Sequence, residues 1–202
     1  MANPSAFVQR ENTRLKDEVK DLQAELALLR QFVSTLEQLF GAADNFKEDS
    51  ELFPFLTRTL SETMALVNAP DGSLLLLDDE TNELVFVIVQ GRLAGKLTNH
   101  RIAADEGIAG WVMKHRQPVL IRDVQHDARF SSNVDTTFSF STRSMIAAPL
   151  MDNHKIYGLI EVLNQPGEDP FSPHDVSLLK VLCRAAGEAL SDIDRLGKNK
   201  PA

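Results

Sequence analysis

The chain has 202 residues, 43% of them hydrophobic and 25% charged, a balance that fits one ordinary globular domain with an appendage. Its net charge of −8 and pI near 5.1 oppose general attraction to nucleic acid or to an anionic membrane, both of which need a positive field. The start of the chain lacks a signal-peptide pattern, no apolar run approaches the roughly 20 residues that span a bilayer, and one cysteine excludes an internal disulfide, so a cytoplasmic location is expected.

From the N-terminus, Val8, Asn12, Leu15, Val19, Leu22, Leu26, Leu29, Val33, Leu36 and Phe40 form a 4,3 apolar repeat. With Val8 as a d position, Asn12, Val19, Leu26, Val33 and Phe40 fall at a, and every later d is leucine. That mixture favours a two-stranded coiled coil. An a-site asparagine pairs with its symmetry mate when two helices run parallel and in register, and Glu11 to Lys16 and Glu25 to Arg30 are complementary g-to-e pairs in that arrangement. A homodimer through residues 8–40 is therefore expected. The alternative is one amphipathic helix folded back on its own domain, which calls for a wider apolar stripe.

Gly41-Ala42-Ala43-Asp44-Asn45 predicts a hinge, because glycine and small polar residues weaken a helix. The domain boundaries follow: residues 1–45 as coiled coil and hinge, 46–196 as the main domain, and 197–202 as a disordered tail. Leu52, Phe53, Leu56, Leu60, Met64 and Val67 recur at helical spacing until Asn68-Ala69-Pro70-Asp71-Gly72. Ser73 to Leu77 and Leu84 to Val89 read as a hairpin, and a third strand is placed near Leu97 to Ala103. A short helix over Gly107 to His115, a strand over Val119 to Arg122 and a weak helix or helical loop over Asp127 to Phe138 come next. Met145 to Met151 and Ile156 to Leu163 form a second hairpin around Asp152-Asn153-His154-Lys155. Ser172 as N-cap, Pro173 at the first position and Asp175 three residues after the cap open the last helix. Strands returning by hairpins between helices predict an α+β fold with a central antiparallel sheet of about six strands and helices on both faces, preceded by the long coiled-coil helix.

The search for chemistry is mostly negative. Gly91-Arg92-Leu93-Ala94-Gly95-Lys96-Leu97 is one residue short of a phosphate loop and lacks the hydroxyl after the lysine. The five histidines show no metal-ligand spacing, and Cys183 falls at an apolar position of the last helix, as an inert core thiol. Glu161 stands out within Ile156 to Leu163, an otherwise apolar or aromatic strand containing one glycine. An ionised carboxylate there either stitches neighbouring backbone amides or faces a polar ligand.

Asp105-Glu106-Gly107-Ile108-Ala109-Gly110-Trp111-Val112, Asp127-Ala128-Arg129-Phe130, Thr142-Arg143-Ser144, Asn164-Gln165, Phe171 and Asp175 together resemble a GAF domain, over about residues 48 to 190. The resemblance is nearest to cyclic-nucleotide-binding GAF domains, through Ser73, Ile108, Ala109, Asp135, Thr142 and Glu161. It implies a ligand cavity lined by those residues with Val89, Gln90, Phe130, Val134 and Phe138. In that class a hydroxyl such as Thr142 contacts phosphate, while Ser73 and Glu161 meet polar edges of the ligand. The chain departs from the pattern at Val89-Gln90, at Ser131 where an aromatic is usual, and at Phe138 where a hydroxyl is usual. Gln165 stands in place of the usual lysine, so the ion pair to Asp175 becomes at most a hydrogen bond. Sulfoxide-reductase relatives need more than one thiol, and bilin-binding relatives use a cysteine near the pocket, so no enzyme activity and no covalent bilin are expected.

Two functions follow. In one, the domain senses a small ligand, a cyclic nucleotide among the candidates, and signals through the dimer to a separate effector. In the other, it is a ligand-free scaffold for dimerisation and protein interaction. An open cavity with unpaired Thr142 and Glu161 favours the sensor, and a filled cavity with Glu161 satisfied by backbone favours the scaffold.

Overall fold

A 40-residue helix, α1 (Pro4–Ala43), carries the 4,3 repeat. The computed structural model describes residues 4–43, 52–168 and 170–198, and the chain divides into two units after Glu37. Along α1, the apolar residues from Val8 to Val33 of the repeat are 44% to 58% exposed. Glu11 bonds Arg14 within the helix at 2.7 Å. Only the backbone is described for Leu36 and Phe40. The helix runs through Gly41 and Ala42 to Ala43, so the predicted break does not begin at Gly41. A single glycine among strong helix formers costs only about 1 kcal/mol and is carried by its neighbours. Asp44 and Asn45 lie outside the described residues.

The second unit is built on six strands: β1 (Asp71–Asp78), β2 (Glu83–Gln90), β3 (Arg101–Ala103), β4 (Val119–Ile121), β5 (Met145–Met151) and β6 (Ile156–Leu163). They form one sheet in the order β3-β2-β1-β6-β5-β4, with every pair antiparallel. Turn chemistry closes both hairpins. Asp78 Oδ1 accepts from the amides of Glu80 and Thr81, and Asp152 Oδ1 accepts from those of His154 and Lys155. Asp152 Oδ2 also accepts from Ser191 Oγ at 2.7 Å, which ties the second turn to the last helix.

Helices α2 (Leu52–Leu66) and α5 (Pro173–Lys198) share one face of the sheet. Ser172 and Asp175 form a reciprocal capping box: the Ser172 amide and hydroxyl donate to Asp175 Oδ2 at 2.7 and 2.8 Å, and the Asp175 amide donates to Ser172 Oγ at 3.3 Å. Leu179, Leu182, Cys183 and Ala186 are then fully buried. Gly187 permits the close approach to β5, since a Cβ there would meet the Met151 amide nitrogen and carbonyl oxygen at 2.4 Å. Helix α5 continues to Lys198, so Gly197 and Lys198 are helical and not part of a tail.

Helices α3 (Gly107–His115) and α4 (Asn133–Phe138) belong to the other face. Strand alternation separates the layers: Leu159, Glu161 and Leu163 of β6 face α3 and α4, and Ile160 and Val162 face α2 and α5. Two predicted segments are shorter than expected. The third strand is limited to Arg101–Ala103, because residues 92–99 run through turns in which only Leu93 and Leu97 are buried, and the helix near residue 130 is confined to α4.

Candidate functional site

The antiparallel register places Val89, Ser73, Glu161, Ala147 and Val119 side by side across five strands, on the face covered by α3 and α4. A β-bulge between Leu74 and Leu75 shifts the β1–β2 register, so that Phe86 and Val89 both reach this face although they are three residues apart. Above this row lies a cavity of about 80 Å³, closed by Gly107, Ile108 and Ala109 of α3, by the segment from Phe130 to Asp135, and by Phe140 and Thr142.

Ten of the eleven predicted site residues line this one cavity. Ser73 and Glu161 form its floor with Val89; Ile108 and Ala109 form one wall; Phe130, Val134, Asp135 and Thr142 form the cover. Gln90 lies on the rim, but its side chain turns to the opposite side of the sheet, where Nε2 donates to Thr57 O and Ser61 Oγ of α2. Alternation requires this, because Gln90 pairs with Gly72 next to the inward Ser73–Val89 pair. Phe138 is the exception. Its ring packs edge-on against His100 at 5.1 Å, and the chain then reverses at Ser139, whose φ is 52°, so that Phe140 enters the cavity instead.

Glu161 is 7% exposed, and Ser73 Oγ donates to its Oε1 at 2.7 Å. Among the described residues nothing donates to Oε2, and no backbone amide bonds the carboxyl group. Burial and the nearby charge of Asp135 push its pKa up to about 7, against the opposing pull of the Ser73 hydrogen bond. The Glu161 carboxyl thus lines the cavity and does not stitch neighbouring backbone amides.

Thr142 is already paired. Its hydroxyl and amide donate to the two Asp135 oxygens at 2.7 and 2.8 Å, and its carbonyl accepts from Gln125 Nε2. Asn164 braces the same turn, accepting from the Arg143 amide through Oδ1 and donating to Ser141 O through Nδ2. Two further latches hold the cover onto α3. Ser131 Oγ donates to Glu106 Oε1 at 2.6 Å, while Arg129, paired with Asp127, stacks over Trp111 at 4.9 Å.

At the other rim, Asp71 binds Arg92 in a fork at 2.7 to 3.3 Å, and the guanidinium lies 4.5 Å from the centre of the Phe140 ring. Burial pushes the Asp71 carboxyl up, but the Arg92 side-chain and backbone N–H groups outweigh it and hold the pKa below the usual value. Gly91, at φ 93°, makes the fork reachable: a Cβ there would stand 2.5 Å from Asp71 Oδ1.

Sequence reasoning did not assign Phe86, Glu106, Phe140, Asp71 or Met145 to the site. The bulge conceals Phe86 and the αL reversal at Ser139 conceals Phe140, whereas Glu106, directly before Gly107 at the start of α3, carried a readable signal. Gln165 does not meet Asp175. It donates to Val67 O at 2.7 Å and accepts from the Phe171 amide, while Asp175 is occupied by its cap. Cys183 is buried on the far side of the sheet beside Ile160, and burial raises its pKa well above the ordinary thiol value. Among the described residues, no cluster of His, Cys, Asp and Glu has the form of a metal site, and no helix is long and apolar enough to cross a membrane.

Residues 51–190 match the family model for the GAF domain. The dual 3',5'-cyclic-AMP and -GMP phosphodiesterase 11 of Drosophila melanogaster is 22% identical over 178 residues, which is 81% of this chain and 12% of that protein's length. Among solved structures, the GAF domain of an Acinetobacter phosphoenolpyruvate-protein phosphotransferase is similar, with a TM-score of 0.66 at 20% identity, covering 83% of this chain and 97% of that one. The free methionine-R-sulfoxide reductase of Neisseria meningitidis has a TM-score of 0.65 at 18% identity, covering 82% and 91%. At these identities the structures share the fold.

Proposed function

This chain belongs to the GAF domain family, and on that premise we propose that it is a non-enzymatic regulatory module of the cytoplasm. A small molecule binds beneath α4, and a homodimer joined through residues 8–40 passes the change to a separate effector protein. The observation that carries this reading is the Glu161 carboxyl, set in the floor of a mainly apolar cavity with Ser73 as its one donor, so that a polar group of a bound molecule can pair with Oε2. The exposed apolar seam of α1, with Asn12 at an a position, supports a parallel pair. The Ser131–Glu106 and Thr142–Asp135 bonds are the contacts that a ligand under α4 would tighten or release.

The phosphodiesterase relative brings cyclic AMP and cyclic GMP as candidate ligands. The cavity of about 80 Å³ is small beside the roughly 300 Å³ or more of a typical ligand site, so a nucleotide requires the cover to move. Thr142, the group the resemblance assigns to phosphate, is committed to Asp135. That pairing favours the second reading, a ligand-free scaffold for dimerisation and protein interaction.

Native mass spectrometry of the whole chain tests these readings. A dimer with a discrete added mass supports the sensor, a dimer whose mass never changes in the presence of small molecules supports the scaffold, and a monomer at all concentrations removes the coiled-coil signalling route.

A further inference from the structure

We propose that the cavity of this chain takes a small organic cation, an apolar body bearing a protonated amine or amidine, and rejects anions. The inference rests on the reading of the cavity as a ligand site. Asp71, Glu106, Asp135 and Glu161 all line it, and among the described residues no lysine, arginine or histidine does. Only Asp71 has a cationic partner, Arg92, whose charge is spent at the rim on that carboxylate and on the Phe140 ring. Glu106 is bonded by the neutral donors Ser131 and Asn133, Asp135 by Thr142, and Glu161 by Ser73.

Three acidic side chains without a counter-charge therefore face one partly open, mainly apolar cavity, where fields are screened less than in bulk water. The first amides of α3, at Gly107 to Ala109, contribute about half a positive charge, and Glu106 already stands at that helix end. An anion entering here would meet a net negative field, while a cation would relieve it. Phe86, Phe130, Phe140 and Ile102 supply the apolar walls for the body of the ligand, and the carboxyl of Glu161, a residue 7% exposed, lines the same cavity with Oε2 left to accept its N–H group.

A cation also favours the ionised form of Glu161. Its pKa is pushed up to about 7, so binding below that pH releases a proton and affinity rises with pH across neutrality. The charged groups that bear on it are Asp135 above, Glu106 at the start of α3, and Asp71 with its partner Arg92; His100 stands behind Phe86.

The test uses probes of one shape and three charges against the full chain. Isobutylammonium, isobutanol and isovalerate share a small branched body, and benzamidinium, benzamide and benzoate a bulkier aromatic one. Binding is followed by amide chemical shifts at Ser73, Ile108 and Thr142, with cyclic GMP as a further anion. The expected result is that each cation binds at least about tenfold more tightly than its neutral and anionic counterparts, and that its affinity falls by about tenfold from pH 8 to pH 6. Glu161→Gln should remove most of the preference, and urea unfolding confirms that the variant is folded. Equal binding of cation and neutral counterpart, or preference for isovalerate, benzoate or cyclic GMP in the cavity, overturns the cation inference and leaves the ligand-site reading standing. No shift at cavity amides with any probe overturns both.

Discussion

Ser73 and Glu161 are register partners on β1 and β6, and the serine hydroxyl donates to Glu161 Oε1 at 2.7 Å in the layer between the sheet and α4. One neutral donor does not replace the hydration of a carboxylate, so the folded chain holds the Glu161 proton more tightly than the unfolded chain does.

The folded pKa of about 7 lies above the ordinary 4.5, so between these values the folded state binds more protons than the unfolded one. Stability contributed by this group is present at low pH, declines as pH rises from 4.5 to 7, and levels off above. The total change is on the order of 3 kcal/mol. Glu161→Gln keeps an acceptor for Ser73 and removes the titration. Urea unfolding at pH 5, 6, 7 and 8 should show this component of the slope in the wild type and not in the variant; equal slopes would refute the assignment.

Asp135 accepts both the Thr142 amide and hydroxyl, and this fastens α4 over the cavity. Asp135→Ala leaves those two donors without their acceptor, at about 1 to 3 kcal/mol, and frees the cover. Hydrogen exchange at the Thr142 amide should accelerate while the amides of β5 and β6 keep their protection. Unchanged protection at Thr142 would mean that Asn164 and Gln125 hold the turn without Asp135.

Gly91 combines a φ of 93° with contacts that leave no room for a Cβ, 2.4 Å from Pro70 O. Gly91→Ala should destabilise the chain by about 1 to 3 kcal/mol through backbone strain and displacement of the Asp71–Arg92 fork. Arg92→Lys keeps the charge and loses the fork, so a smaller loss is expected in the same thermal unfolding measurement. A lysine variant as unstable as the alanine variant would show that the fork, and not the backbone, carries the effect.

Leu22 is 58% exposed at a d position of α1. Leu22→Glu puts like charges together at the centre of a parallel pair, and sedimentation equilibrium should read monomer where the wild type reads dimer. Near-UV circular dichroism should be unchanged, because Trp111 and the phenylalanines of the cavity belong to the second unit. A wild-type monomer would remove the seam as an interface.

Local signals determined most of the architecture. Both hairpins, the capping box at Ser172 and the 4,3 repeat are written in residues a few positions apart, and β5 and β6 have the predicted bounds. Such features rest on turn chemistry and side-chain periodicity, which act over short stretches of chain. The site was legible wherever strand alternation or a motif residue pointed to it, as for Ser73, Glu161, Ile108 and Thr142. Only the tertiary structure decided the rest. A single bulged residue brings Phe86 into the cavity, an αL residue exchanges Phe138 for Phe140, and Gln165 leaves Asp175 for Val67 and Phe171. The charge of the cavity was equally hidden, because Asp71, Glu106, Asp135 and Glu161 lie up to 90 positions apart and become neighbours only when the sheet and its cover enclose the same small volume.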